Sequence, residues 1–205
     1  MKDLYALLRQ SLAGLRVLVL FTVLLGLAYP LAITGVAAVA MPWQANGSLV
    51  DASGERVTSA DDAVGSAQLG QLVDDDGLFQ PRASAAGDGY DPLNSYGSNL
   101  GPESPELVAS IRERRAEIAR REGVAPAAVP PDALTASASG LDPDISPDYA
   151  DLQVARVARA NGLGEEQVRG LVDDNTSGRT LGILGEPHVN VLELNLDVLR
   201  LAGRS

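Results

Sequence analysis

Few side chains in this 205-residue sequence could carry chemistry, and their spacing narrows the choice. There is no Cys and a single His, His188, so thiolate sites and multi-histidine metal sites are excluded. A Ser-His-Asp relay would have to run through His188, which follows Pro187 with no G-x-S-x-G turn anywhere in the chain. Asp142 and Asp144 flank Pro143. Paired carboxylates can hold a cation or share a proton, but Asp-Pro is first an ordinary turn signal, and a turn is the expectation. Asp74, Asp75 and Asp76 read as a solvated loop. Gln153 offers an amide that donates and accepts hydrogen bonds but moves no proton, so it can position but not catalyse. No Walker-type phosphate loop occurs. These residues give no catalytic set and no metal site.

The elements that would position them divide into a membrane segment and an outer domain. Val17 to Ala40 is a run of 24 residues without a charge. As a helix it would span roughly 36 Å, enough to cross a bilayer core with some tilt. Lys2, Arg9 and Arg16 precede it, and Asp51, Glu55, Asp61 and Asp62 follow it. The positive-inside rule then puts residues 1–16 in the cytoplasm, 17–40 in the membrane and 41–205 outside, with Trp43 at the far interface. Ala38-Val39-Ala40 also fits a signal-peptidase site, so a cleaved signal is the competing reading. Thr22, Gly26, Pro30, Thr34 and Ala38 recur at i, i+4. This ridge of small and hydroxylated residues suits close approach by another membrane helix, and Pro30 should interrupt the helix near Gly26.

Net charge is −11, with residues 1–41 at +2 and the remainder at −13. An acidic domain argues against nucleic acid, which selects a basic footprint. The pattern predicts strands near Ser48–Val50 and Val64–Leu69 joined by a long loop, then an irregular stretch over 78–102. Ser104-Pro105 opens a helix that Gly123 ends, and Ser146-Pro147 opens a second that stops near Asn161-Gly162. A third helix is expected over Glu165 to Asp174. "GRTLGILGEP" reads as a strand and a turn, and "HVNVLELNLDVLRLAG" as a strand or a helix, since periods of 2 and 3.6 compete there. Strands at both ends with helices between predict an α+β fold: one N-terminal transmembrane helix followed by a single mixed α+β extracytoplasmic domain.

Five motifs, "YPLAITG", "QANGSL", "GSNLGP", "SGLDPDISP" and "GEPHVNVLELNL", stand in an order that resembles the C subunit of the Kdp-type potassium-transporting P-type ATPase, the KdpC family. The resemblance extends along nearly the whole chain. Three features depart from it: Ala83 where the family has Pro in an Arg-Pro-Ser-Ala run, a longer "TSADDAVGS" loop, and His188 where Arg is common.

The resemblance implies a non-catalytic, single-span subunit of a four-part complex in the bacterial cell membrane. Its partners would be a channel-like A subunit that selects potassium, an ATP-hydrolysing B subunit and a small fourth subunit. It also implies a catalytic-chaperone role that raises the B subunit's affinity for ATP, with nucleotide contacted by the Gln after the S-G-L-D-P loop, here Gln153. The topology puts Gln153 outside, away from cytoplasmic ATP. The loop of Ser139, Gly140, Leu141, Asp142 and Pro143 is then expected to dock on the channel subunit, as the ridge of Thr22, Gly26, Pro30 and Thr34 docks within the membrane. Effects on ATP would pass through the complex by linkage. The alternative is a solitary membrane-anchored binding or assembly protein with no pump partner.

Overall fold

The charge-free run forms the later part of one long helix. In the computed structural model, which describes residues 2–204, α1 (Lys2–Val23) passes through a π turn (Leu24–Ala28) into α2 (Tyr29–Ala40). The segment Leu4–Ala40 is long and apolar enough to cross a membrane. The interruption expected at Pro30 takes the form of the π turn: the Tyr29 amide reaches back five residues to the carbonyl of Leu24. Pro30 has no N–H to donate and its ring crowds the carbonyl four residues earlier, so a wider turn relieves both problems. The Thr34 hydroxyl donates to the carbonyl of Pro30 at 2.9 Å. A short helix, α3 (Pro42–Ala45), follows, and the chain divides into two compact units between Gly47 and Ser48.

The second unit mixes helices with two small sheets. β1 (Leu49–Val50) pairs antiparallel with β2 (Gly65–Ser66), with Leu49 opposite Ser66. The long loop expected between them carries a 3₁₀ turn, Ala60–Asp62. α4 (Pro105–Glu122) starts where the Ser104 hydroxyl accepts from Leu107 N and ends at Gly123 with φ of +71°. The Pro-rich connector contains α5 (Pro131–Leu134), which buries Ala133 and Leu134. β3 (Asp144–Ile145) leads into α6 (Pro147–Asn161), whose Ser146 cap accepts from Tyr149 N at 3.0 Å. Then come α7 (Glu165–Asp174), β4 (Thr176–Ser177), β5 (His188–Asn190) and α8 (Val191–Leu201).

The second sheet is antiparallel in the order β3–β5–β4. Helices α4, α6, α7 and α8 share one core with it, in which Val154, Val157, Val189, Leu194 and Val198 are all buried. Each such aliphatic contributes about 1.5–3 kcal/mol when fully removed from water. The two competing periods of the last segment are both present. Residues 188–190 are strand, and the Asn190 side-chain oxygen Oδ1 then caps α8 by accepting from Glu193 N at 3.1 Å. The strand expected within "GRTLGILGEP" is not there; β4 lies just before it, and the segment is a turn closed by a Thr180–Leu184 bridge. Gly182 and Gly185 have positive φ, which the twist of a continuous strand does not accommodate.

Candidate functional site

The residues singled out by sequence fall into three places. Thr22, Gly26, Pro30 and Thr34 are exposed on the long helix. A Cβ built on Gly26 would meet only the Thr22 methyl, at 4.0 Å, so the ridge is open to a neighbour. The other two places lie in the second unit.

The loop before β3 is fixed from several sides. The Ser137 hydroxyl accepts from Gly140 N at 3.0 Å, and the Ser139 hydroxyl accepts from Leu141 N at 3.1 Å. The Ser84 hydroxyl donates to the Gly140 carbonyl at 2.7 Å, and Tyr96 N donates to the Ser139 carbonyl at 3.0 Å. Gly140 has φ of +71°, and a Cβ there would stand 2.6 Å from that of Ala86 and 2.8 Å from the Tyr96 carbonyl oxygen. Only glycine satisfies both the angle and the space. Asp142 ion-pairs with Arg82 at 2.9 Å and accepts from Asp144 N at 3.1 Å, so it makes the turn that its Pro143 neighbour signals. Ala138 and Ser139 form the exposed tip, Gly140 is buried, and Leu141, Asp142 and Pro143 are half-buried. The serines and glycine of the first half are thus the loop's internal scaffold.

Asp144 accepts from Asn190 at 3.3 Å and stands 3.9 Å from the His188 ring. Burial raises its pKa above the usual carboxylate range, Asp142 adds to the rise, and His188 opposes it. No group of three or more His, Cys, Asp or Glu able to hold a metal ion occurs among the described residues.

Gln153 is fully enclosed. Its carbonyl oxygen accepts from Gln80 N at 2.7 Å and from an Arg156 guanidinium nitrogen at 2.8 Å, while its amide donates to the Gln80 carbonyl at 3.1 Å. Three of its four hydrogen-bonding positions are therefore occupied. Asn195 on α8 does the same one residue earlier: its oxygen accepts from Phe79 N at 2.8 Å and its amide donates to the Phe79 carbonyl at 2.9 Å. Arg156 donates to the carbonyls of Asp76 and of Leu78, the latter at 2.9 Å, and Asn161 to that of Gly77 at 2.7 Å. Among the described residues no strand pairs with segment 76–80, and these side chains supply the bonds that a neighbouring strand would give. Phe79, fully buried, is the apolar anchor of the same segment.

Arg156 is itself neutralised. It bonds both carboxylate oxygens of buried Glu122, at 3.1 and 2.9 Å, and Arg121 joins Glu122 to the hydroxyl of Tyr149. Burial raises the Tyr149 pKa, so that hydroxyl stays protonated.

Sequence reasoning missed Asn195, Arg156, Asn161 and Arg82. The legible signal was polarity inside an apolar pattern: Asn195 lies within "VLELNLDVL", and Arg156 stands one turn after Gln153 on the buried side of α6. Ala83 gives its carbonyl to Ser137 N at 2.9 Å, a contact that a Pro would keep, and His188 is half-exposed beside Asp144.

One helix long and apolar enough to cross a membrane is followed by a small α+β domain in which Gln153, Asn195, Arg156 and Asn161 turn their polar groups onto the fold's own backbone. Residues 11–200 match the family described as KdpC, K+-transporting ATPase, c chain. The chain is 54% identical over 190 residues to the potassium-transporting ATPase KdpC subunit of Kineococcus radiotolerans, covering 93% of each chain. It is 48% identical to the KdpC subunit of Koribacter versatilis, covering 88% of this chain and 89% of that one. It is 47% identical to that of Mycobacterium tuberculosis, covering 94% and 99%. The chain belongs to the KdpC family of potassium-transporting ATPase subunits.

Proposed function

We propose that this chain is a non-catalytic docking subunit of the pump, with its N-terminus in the cytoplasm and the domain from Ser48 onward outside. The span ridge of Thr22, Gly26, Pro30 and Thr34 packs against a membrane helix of the complex. The rigid loop of Ser139, Gly140, Leu141, Asp142 and Pro143 seats on the outer face of the channel-like A subunit. Its conformation is already paid for by internal hydrogen bonds, so docking costs little ordering entropy. The ATP-hydrolysing B subunit and the small fourth subunit complete the assembly.

In this reading the subunit raises the B subunit's apparent ATP affinity as a chaperone acting at a distance, through linkage. One observation carries it: both ends of the Gln153 amide are spent on the backbone of Gln80, inside the fold. A nucleotide could use that amide only by displacing segment 76–80. Gln153 is then a positioning residue that holds the domain's shape.

Topology is tested by thiol labelling of the full chain in intact cells. Both Ser98 and Ser11 are exposed, and there is no native Cys. A Cys at Ser98 should react with an impermeant reagent and one at Ser11 should not. The reverse pattern overturns the topology and with it the argument that ATP acts at a distance.

A further inference from the structure

A cavity of about 380 Å³ lies between α4, α5 and residues 80–90, and Arg82, Arg114, Arg121, Tyr90 and Tyr149 line it. Three guanidiniums share one hollow in a chain that carries −13 beyond residue 41. The arginines are half-buried and both tyrosines are buried. Two of the arginines converge on the end of α5: Arg82 donates to the Thr135 hydroxyl at 3.2 Å, and Arg114 to the Leu134 carbonyl at 3.1 Å.

The charges along this wall do not balance. Asp142 neutralises Arg82. Arg121 and Arg156 share the one carboxylate of Glu122, at 2.8 and 2.9 Å. Arg114 ion-pairs with no carboxylate among the described residues; its partner is the Leu134 carbonyl. Two positive charges are therefore left over, one on Arg114 and one on the Arg121–Glu122–Arg156 group. Charge held away from water without a partner is costly, and a bound counter-charge offsets that cost. Hydrogen-bond donors are left over as well. Arg82 Nε is buried with no hydrogen-bond partner. The Tyr149 hydroxyl accepts from Arg121, and its own proton goes to no group among the described residues. Burial raises its pKa, so it keeps that proton to give. The Tyr90 proton, by contrast, is spent on the Arg82 carbonyl at 2.8 Å.

We infer that this cavity binds one small tetrahedral oxyanion, of the phosphate or sulfate class, through the guanidiniums of Arg114 and Arg121 and the hydroxyl of Tyr149. Planar guanidinium forks match the oxygens of such anions, and charge-assisted hydrogen bonds are the strong ones. The mouth narrows the class further. Asp88 and Glu117 also line the cavity, are exposed, and ion-pair with none of these arginines. A polyphosphate or an anionic lipid surface would bring its further charges against these carboxylates, where like charges repel. A lone oxyanion brings none. The inference is independent of the side of the membrane on which the domain lies.

The test is calorimetric titration of the full chain, in a non-ionic detergent, with sodium sulfate and separately with sodium phosphate. Sodium chloride at matched ionic strength is the reference. Saturable one-site binding of both oxyanions, and none of chloride, is expected. Arg114→Gln should weaken it about ten- to a hundred-fold, as loss of a hydrogen bond to a charged group does. Arg112→Gln removes an exposed arginine of the same helix outside the cavity and should leave the affinity unchanged. The wild-type titration decides by itself: no saturable heat with either oxyanion in the millimolar range overturns the inference. Equal affinities for wild type and Arg114→Gln overturn the assigned site. Competition by magnesium-ATP or by short-chain phosphatidylglycerol at equal concentration overturns the assignment to a lone oxyanion.

Discussion

Two irregular segments of the second unit solve opposite problems. Segment 76–80 has an unpaired backbone and buries it, borrowing hydrogen bonds from Gln153, Asn195, Arg156 and Asn161. The hairpin over 178–187 pairs its own backbone in tight turns and leaves its apolar side chains in water. In the first, every polar demand is met inside the chain, so substitution there should cost folding. In the second, the apolar side chains pack on nothing within the unit, so substitution should spare folding. The loop of Ser139 to Pro143 lies between these extremes, with a fixed interior and an exposed tip. The contrast separates residues that hold shape from apolar residues that the fold leaves exposed.

The largest effect expected is Arg156→Met. It leaves Glu122, whose side chain is fully buried, with Arg121 as its one remaining ion-pair partner, and frees the carbonyls of Asp76 and Leu78. Breaking a buried pair from one side costs about 3–5 kcal/mol, to be read as a loss of unfolding free energy in denaturant titration of the detergent-solubilised chain. A change below about 1 kcal/mol would mean that the 76–80 segment is not clamped as described.

Gly140→Ala should follow, at about 1–3 kcal/mol, since the new Cβ meets Ala86 and the backbone angle becomes strained. Gly101→Ala is the control, because nothing lies within 4 Å of its added carbon. Equal melting temperatures for the two variants would remove the case for a rigid loop.

Leu181→Asn should move stability the other way, by up to about 1 kcal/mol, because Asn suits a left-handed turn position better than Leu. A higher melting temperature for the variant would sharpen the comparison, and a lower one would blur it.

The smallest effect concerns Asp75. Its carboxylate accepts from Gly77 N at 2.7 Å and pairs with Arg204, and these hold its pKa below the ordinary 3.8, the amide bond first. A depressed folded pKa gives stability above the unfolded value that is lost as pH falls through the folded one. The difference in melting temperature between the native chain and Asp75→Asn should therefore be constant near neutrality and shrink below about pH 4. A difference that stays constant into acid would deny Asp75 this role.

Much of the fold was legible because its signals are local. Ser104-Pro105 and Ser146-Pro147 mark helix starts by chemistry confined to one turn, and Gly123 and Gly162 mark the stops. The hydropathy of 17–40 and the resemblance of five motifs carried the family. What was not legible depends on partners distant in sequence. Gln153 reaches Gln80 and Asn195 reaches Phe79 across more than seventy residues, and no local pattern encodes that choice. "GRTLGILGEP" misled for the converse reason: its alternation resembles a strand, while glycines at positive φ make it a turn whose apolar residues face outward. The candidate site was legible as a loop and a ridge, but not as a scaffold with a separate exposed tip.

The central claim is that Gln153 works inside the fold and that nucleotide is felt only through the complex. Calorimetric titration of the solubilised full-length wild-type chain with magnesium-ATP tests it most directly. The account predicts no saturable heat from the isolated subunit up to millimolar nucleotide, with ATP affinity responding to this subunit only in the assembled pump. Saturable binding by the isolated chain, in the micromolar to low millimolar range, would contradict it.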